Sequence, residues 1–115
     1  MNQPEKDLTC AGKLTVSQQV ISKIAGMAVQ EAEAVQALVE GSTKRKKREE
    51  FYKAIKVKIS GSELSVQLFP IITLGTPLHQ LARLLQQSIK SRIERLTGLQ
   101  VTDVNVTVVG VVAAQ

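Results

Sequence analysis

A long amphipathic helix followed directly by a Val-rich strand is predicted over residues 76–112. Apolar residues recur at steps of three and four along the helix, which places them on one face. Thr76 is expected to cap the helix, Pro77 to occupy its first position and Gly98 to end it in a left-handed conformation. Val and polar residues then alternate over residues 104–108, as in a half-buried strand. A helix and a strand joined without a linker must pack into one core, so this stretch supplies much of that core.

A first helix is predicted from about Gln18 to Glu33. Ser17 is a suitable N-cap because its hydroxyl can accept from free backbone amides of the first turn. Gly26 interrupts the apolar face, and the missing side chain would allow another helix or strand to approach closely. The segment Val35–Val39 is either the last turn of this helix or an extended segment. Before the helix, Lys13–Val16 can form a short strand.

Two strands joined by a tight turn follow in the middle of the chain. Residues 55–60 and 64–69 each alternate apolar with mostly polar side chains, and Gly61-Ser62 between them suit a tight hairpin. One face of the hairpin should therefore be buried and the other largely polar. Residues 70–75 should continue as an edge or bulged extension, because Pro70 cannot donate to a ladder. The last strand can pair beside either hairpin strand.

These elements predict one α+β domain in the order β-α-β-β-α-β, with a short first strand and two helices packed on one face of a small mixed sheet. The 115 residues are enough to bury a single core. Residues 13–112 are assigned to the domain, residues 1–12 to a disordered N-terminal arm and residues 113–115 to a tail. No signal peptide and no membrane span are expected, because no apolar segment has the required length.

The positive charge is concentrated in one segment. Five of the 15 Lys and Arg residues are consecutive, and the other ten balance the ten acidic residues. We expect residues 42–50 to form an exposed basic loop, since like charges repel and favour extension. The candidate contacts for nucleic acid or anionic lipid head groups are Lys44, Arg45, Lys46, Lys47 and Arg48. A solvated loop without a specific role is the alternative.

The polar face of the predicted sheet is a second candidate contact surface. Four of its residues would be exposed together if both helices cover the opposite face: Lys56, Lys58, Gln67 and Asn105. A solvated face without a partner is the commoner outcome for such a surface.

No catalytic, cofactor or metal site is predicted. The only histidine, His79, has no Cys or Ser partner in a known nucleophile arrangement, and it is far in sequence from the only cysteine, Cys10. A zinc site needs three or four ligands. The adjacent pair Glu49-Glu50 flanks the basic run and is interpreted as local charge compensation. Since no phosphate-binding glycine motif is present either, we expect neither enzyme activity nor a small-molecule substrate.

The end of the chain resembles a known bacterial family. Residues 96–111, LTGLQVTDVNVTVVGV, are similar to the ending TGL-x-V-x-x-V-N-V-x-V-x-G-V of the alkaline shock protein family, also called Gls-type, of the cell-envelope stress response. Gly12-Lys13-Leu14 ahead of Val20-Ile21 and Ile24-Ala25 supports the resemblance, as does Leu74-Gly75 ahead of the long helix. The three blocks occur in order with suitable spacing.

The resemblance implies a small cytoplasmic α+β domain without known catalytic residues. It implies a non-enzymatic scaffold of envelope stress that associates with itself and with a membrane-anchored protein partner, which would hold it near the membrane. The basic run departs from the more neutral loop of many relatives, so a small nucleic-acid-binding domain is the alternative function. The element order is reminiscent of KH-type RNA binders, but this chain lacks their Gly-x-x-Gly clamp.

Overall fold

The computed structural model describes residues 15–40 and 44–113. Within them the chain forms three α-helices and seven strands, and a 3-10 turn at Arg48–Glu50 leads into the second helix. The helices are α1 (Gln18–Gln30), α2 (Phe51–Ala54) and α3 (Leu78–Thr97). The strands are β1 (Val35–Glu40), β2 (Lys44–Lys46), β3 (Lys56–Ser60), β4 (Glu63–Leu68), β5 (Pro70–Thr73), β6 (Gln100–Val106) and β7 (Gly110–Val112).

The α+β class with mixed strand pairing is confirmed, although the strands form two sheets instead of one. The orders are β2-β1-β5-β7 and β3-β4-β6. Only Phe69 separates β4 from β5, and only residues 107–109 separate β6 from β7. Strand β4 pairs parallel with β6 in one sheet, and β5 pairs parallel with β7 in the other. The chain therefore passes from the three-stranded sheet to the four-stranded sheet twice, between β4 and β5 and again between β6 and β7. The predicted last strand, whose partner the sequence left open, is divided into two strands: β6 pairs with the hairpin strand β4, and β7 pairs with β5.

The predicted hairpin is confirmed in position and register. Strands β3 and β4 pair antiparallel, with Val57 opposite Val66 and Ile59 opposite Leu64. Gly61 has a φ of 64°, a conformation that glycine adopts without steric cost. Leu64 is buried, whereas the polar side chains between the apolar ones face outward.

The predicted basic loop is wrong over part of its length. Residues Lys44–Lys46 form strand β2, which pairs antiparallel with β1, and the 3-10 turn follows. A strand tolerates this run because alternation places neighbouring side chains on opposite faces. An ion pair between Lys46 Nζ and Glu40 Oε1, 3.3 Å apart, also offsets the repulsion. The open alternative at Val35–Val39 is resolved as an extended segment, since it lies in β1.

Three predicted boundaries shift. Helix α1 is capped by Ser17 as predicted but ends at Gln30 instead of near Glu33. Residues 15–16 are not part of a strand, and the rest of the predicted first strand lies outside the described residues, as do the predicted arm and the last two residues of the tail. Helix α3 begins one residue after Pro77, whose extended backbone (ψ 105°) makes it the N-cap, and Thr76 does not cap.

Of the two alternatives predicted for residues 70–75, the edge is wrong because β5 lies between β1 and β7, whereas the pairing of β5 with β1 does shift register between Val35 and Ala37. Pro70 is its first residue, a position where the missing N–H is tolerated. The Pro70 carbonyl still accepts from the Val109 N–H at 3.0 Å. The left-handed end of α3 is confirmed, with Gly98 at a φ of 78°.

One continuous core joins these elements. Helices α1 and α3 and strand β4 all contribute to it, and Phe51 of α2 is its largest fully buried side chain. No polar or charged side chain within the described ranges is fully buried. The core is almost entirely aliphatic, so its stability depends on close packing of branched side chains.

Candidate functional site

The structure divides the basic run between two faces of β2 and the protein interior. Arg45 and Lys47 are exposed, whereas Lys46 points to the other face of the strand and is half-buried beside Glu40. Residues 45–48 therefore do not form one continuous cationic surface, and the side chain of Lys44 lies outside the described part. Contact with nucleic acid or anionic lipid stays a prediction, which now rests mainly on Arg45 and Lys47.

Arg48 is directed inward and binds the C-terminal end of α1. Its Nη2 donates to the Val35 carbonyl at 2.8 Å, and its Nη1 donates to the carbonyls of Gln30 and Ala32. In return, Gln30 Nε2 donates to the Arg48 carbonyl at 2.6 Å. The guanidinium also lies 5.6 Å from the ring centroid of Phe51. Arg48 thus donates to carbonyls at and just after the end of α1, one of which, that of Ala32, also accepts from the Val35 N–H at 3.2 Å. This use competes with any role in binding an anion.

The predicted sheet-face residues are brought together and exposed. Two rows of paired residues cross β3, β4 and β6 on this face: Lys56, Gln67 and Asn105 in one, and Lys58, Ser65 and Asp103 in the other. The lysines lie at the β3 edge and the carboxylate at the β6 edge. Lys56 Nζ also lies 6.0 Å from the ring centroid of Phe69. The arrangement agrees with the predicted geometry, and a partner for this face stays a prediction.

A third surface, which sequence reasoning missed, lies between α3 and the outer edge of β6. Gln86 Nε2 donates to the Val104 carbonyl at 3.2 Å. Lys90 Nζ donates to the Val101 carbonyl at 3.3 Å, and the Val101 N–H donates to Glu94 Oε2 at 3.0 Å. Side chains of α3 therefore form hydrogen bonds with the backbone of the end strand β6. These bonds protect an edge that would otherwise be free to pair with another strand.

These side chains border a groove with a volume of about 370 Å³, which we call the β6 groove. Its lining residues come from one side of α3 and from β6: Gln86, Gln87, Lys90, Val101, Thr102, Asp103, Val104 and Asn105. The spacing of Gln86, Lys90 and Glu94 at four-residue steps places them on one helix face. That spacing is also typical of a solvated helix face, so nothing in the sequence indicates a strand edge beside it.

The pKa of Glu94 is changed by its contacts beside the β6 groove. The hydrogen bond from the Val101 N–H, and then the one from Lys90, lower the pKa of the Glu94 carboxyl from its ordinary value of 4.5. Lys90 Nζ and Glu94 Oε2 are 3.2 Å apart. Because both partners stabilise the carboxylate, the contact depends on Glu94 being ionised.

We expect the Glu94→Gln variant to lose part of the acid dependence of folding. A lowered native pKa stabilises the fold fully above the ordinary pKa, and this contribution disappears as the pH falls through the native pKa. The variant should therefore be less stable than wild type at neutral pH, and the difference in Tm should shrink as the pH falls below about 4.5. Thermal unfolding between neutral and acidic pH measures this. The exposed Glu33→Gln variant is the control, and identical pH profiles for wild type and Glu94→Gln would contradict the assignment.

Within the described ranges, no three His, Cys, Asp or Glu side chains are placed to hold a metal ion. His79 is exposed, and its Nε2 is 3.2 Å from Arg83 Nη2. Glu50 forms an ion pair with Lys53 at 3.1 Å. Cys10 lies outside the described residues. Among the helices of the described part, none is long and apolar enough to cross a membrane.

Comparison with known proteins places the chain in a family. It is 26% identical over 106 residues to the Bacillus subtilis (strain 168) protein named "Uncharacterized protein YloU", covering 87% of this chain and 88% of that protein. It is 24% identical over 107 residues to "Uncharacterized protein YqhY" of the same organism, covering 90% of this chain and 79% of that protein. No solved structure matches the chain with significance. The model of the alkaline shock protein 23 family, described as having a cell envelope-related function, matches residues 6–113, and the chain therefore belongs to this family.

Proposed function

We propose that this protein is a non-enzymatic scaffold of the cell envelope that works through association with itself and with a membrane-anchored protein partner. In this proposal the chain stays in the cytoplasm and reaches the membrane through that partner. The cell envelope-related function of the family supports the cellular setting. The observation that carries the proposal is an apolar edge at β7.

Strand β7 is an end strand of the four-stranded sheet, so one side of its backbone has no strand partner within the described residues. Val109 and Val111 are each 48% exposed, and Leu74 is 64% exposed. Val111 pairs with the core residue Ile72 and so faces the same side of the sheet. The Leu74 N–H donates to the Val112 carbonyl at 2.7 Å, which holds Leu74 beside the end of β7. An exposed strand edge with apolar side chains is typical of a surface that pairs with another chain.

A second copy of this chain is the occupant that fits this edge. A two-fold axis beside β7 would place two β7 strands antiparallel and would join two four-stranded sheets. In such a pair, the exposed valines of each copy would be covered by the same residues of the other. Because each contact occurs twice in a two-fold dimer, the interface would remove the apolar surface of both copies from water.

We expect wild-type protein to self-associate with rising concentration and the Val111→Lys variant to associate at least about tenfold more weakly. The lysine places a charge on the edge, and two-fold symmetry sets two such charges close together. Sedimentation velocity over a concentration series measures the association. The matched control is Val20→Lys, which changes a valine of similar exposure, 47%, on α1. A monomer at every concentration, or equal association of wild type and Val111→Lys, would contradict the self-association.

The membrane part of the proposal is tested by fractionation of the native host after crosslinking. Wild-type chain should be recovered with the membrane fraction, crosslinked to an integral membrane protein. A variant with Arg45→Ser and Lys47→Ser distinguishes the two routes to the membrane, because direct attachment to anionic lipid would require these exposed charges. If the variant is recovered like wild type, a protein partner holds the chain. Absence of the wild-type chain from membranes would contradict the proposal.

A further inference from the structure

The outer edge of β6 is occupied by side chains instead of a strand. The Thr107 N–H donates to the Leu68 carbonyl of β4, so alternation directs the backbone groups of Val104 and Val106 away from β4. The Val104 carbonyl accepts from the exposed side chain of Gln86, at 3.2 Å, and no other side-chain donor to it is found among residues 15–40 and 44–113. One strand-pairing position of β6 is thus held by a flexible amide.

The contacts that cover this edge are replaceable. Gln86 and Lys90 are both exposed, and each forms a single hydrogen bond to the β6 backbone. A hydrogen bond of this kind contributes little net stability because water competes for both partners. The backbone of an incoming strand can form the same bonds with less loss of side-chain freedom. Displacement of the two side chains is therefore an accessible route to strand addition.

The space beside the edge fits an extended segment. The β6 groove of about 370 Å³ is lined along the strand by residues 101–105, and Gln87 and Lys90 on its helix side also line a second concavity of about 550 Å³ on α3. Helix α3 runs alongside β6 in the opposite direction, with Glu94 beside Val101 and Gln86 beside Val104. The groove thus follows the strand over several residues, which is the shape that strand addition requires.

The charge along the groove favours an acidic occupant. The exposed side of α3 next to it carries Arg83, Lys90 and Arg95 against a single carboxylate, Glu94. Arg83 lies one turn before Gln86 on the same helix face, beside the part of the strand that follows Val104. From β6, Asp103 also lines the groove, so three cations are set against two carboxylates and the balance stays positive.

We propose that the β6 groove binds an acidic extended segment of a partner protein as an added strand. The backbone of the segment replaces Gln86 at the Val104 carbonyl and pairs with the outward N–H of Val106. Every second side chain of the segment points toward α3, where carboxylates pair with Arg83 and Lys90. This inference rests on the proposed function, in which the chain works through protein partners, and it states the chemistry of the segment that one partner contributes.

A synthetic peptide of alternating Thr and Glu residues serves as the probe. We expect it to bind the purified protein in fluorescence anisotropy and to shift the amide NMR signals of residues 101–106. The same peptide with N-methylated backbone positions, and a peptide of alternating Thr and Lys, should each bind at least about tenfold more weakly. Equal binding of the N-methylated peptide would overturn the proposal, as would a lack of shifts in β6. Stronger shifts with oligothymidine than with the peptide would assign the basic side of α3 to nucleic acid instead.

Two variants change the affinity in opposite directions. Gln86→Ala frees the Val104 carbonyl and should bind the peptide about two- to tenfold more tightly. Arg83→Ala removes a cation without freeing a backbone group and should bind more weakly, whereas the exposed Arg45→Ala on β2 should bind like wild type. Unchanged or weaker binding by Gln86→Ala would overturn the strand-addition geometry. Both positions are exposed, and thermal unfolding verifies that the variants fold.

The outcomes of the peptide titration and of the tests of the proposed function distinguish the two proposals. If the peptide does not bind while the wild-type chain is still recovered with membranes, the β6 groove assignment is wrong and the scaffold proposal stands. If the peptide binds but the chain neither self-associates nor reaches membranes, the groove stands and the scaffold proposal is wrong. The Val111→Lys variant should keep its peptide affinity, because β7 lies beyond the groove.

Discussion

Replacement of Arg48 by Met should lower the free energy of unfolding by about 2–4 kcal/mol, although the residue belongs to a run of surface-type charges. The substitution keeps a long side chain over Phe51 but removes the donors to three carbonyls at the end of α1. Those carbonyls belong to Gln30, Ala32 and Val35, where the chain turns from α1 into β1. Hydrogen bonds from a charged group are stronger than neutral ones, and an acceptor left without a partner adds a desolvation cost. The Ala32 carbonyl keeps the Val35 N–H as a donor at 3.2 Å, so this cost concerns the other two carbonyls.

Arg45→Met is the matched control for this prediction. It removes the same charge three residues earlier, where the side chain is exposed, and should change stability by no more than about 0.5 kcal/mol. Urea unfolding of both variants at one pH and one salt concentration gives the comparison. If both variants lose the same stability, the effect comes from the overall charge, and the assigned role of Arg48 is wrong.

The second large effect is expected at Gly26, where valine should destabilise the protein by about 2–3 kcal/mol. A Cβ at this position would lie 3.0 Å from Tyr52 N and 3.2 Å from Tyr52 Cα. Both atoms belong to the backbone of α2, so they cannot move aside as a side chain would. Helix propensity alone predicts the opposite sign, since glycine is the less favourable residue in a helix by up to about 1 kcal/mol. The short contact outweighs that gain because α1 and α2 pack directly on each other.

Met27→Val isolates the propensity effect. It introduces the same side chain one position later on α1, where the native residue is 52% exposed, and should cost no more than about 0.5 kcal/mol. Tyr52 is the only tyrosine and the chain has no tryptophan, so tyrosine fluorescence reports on the contact itself. Unchanged fluorescence together with equal stability of the two variants would show that α2 does not restrict residue 26.

The elements that the sequence predicted correctly are those with local causes. The β3–β4 hairpin follows from alternation and from the turn at Gly61-Ser62, and the end of α3 follows from Gly98. The close approach at Gly26 was also indicated, because a glycine within an apolar helix face leaves room for a neighbour. In each case the signal and the structure that it specifies lie within a few residues of each other.

The features that could not be predicted depend on distant partners. Strand β2 exists because β1 offers it a ladder, and nothing within Lys44–Lys46 indicates a strand. The inward direction of Arg48 depends on where α1 ends, and the β6 groove depends on α3 lying along a strand edge. Of the candidate site residues, the sheet face was placed correctly by alternation. The basic run was treated as one surface because sequence proximity does not show how a strand separates its side chains.

The parallel pairing of β4 with β6 and of β5 with β7 has a consequence for folding during translation. A parallel pair requires a long crossover, here through α3, so its contacts join residues far apart in the chain. During translation, residues 100–112 are synthesised after every strand that they contact. Until they leave the ribosome, β4 and β5 each have one open side, and the nascent chain exposes apolar strand edges of the kind that chaperones bind. The rate at which the polypeptide reaches its final compact state is therefore set by its most distant contacts.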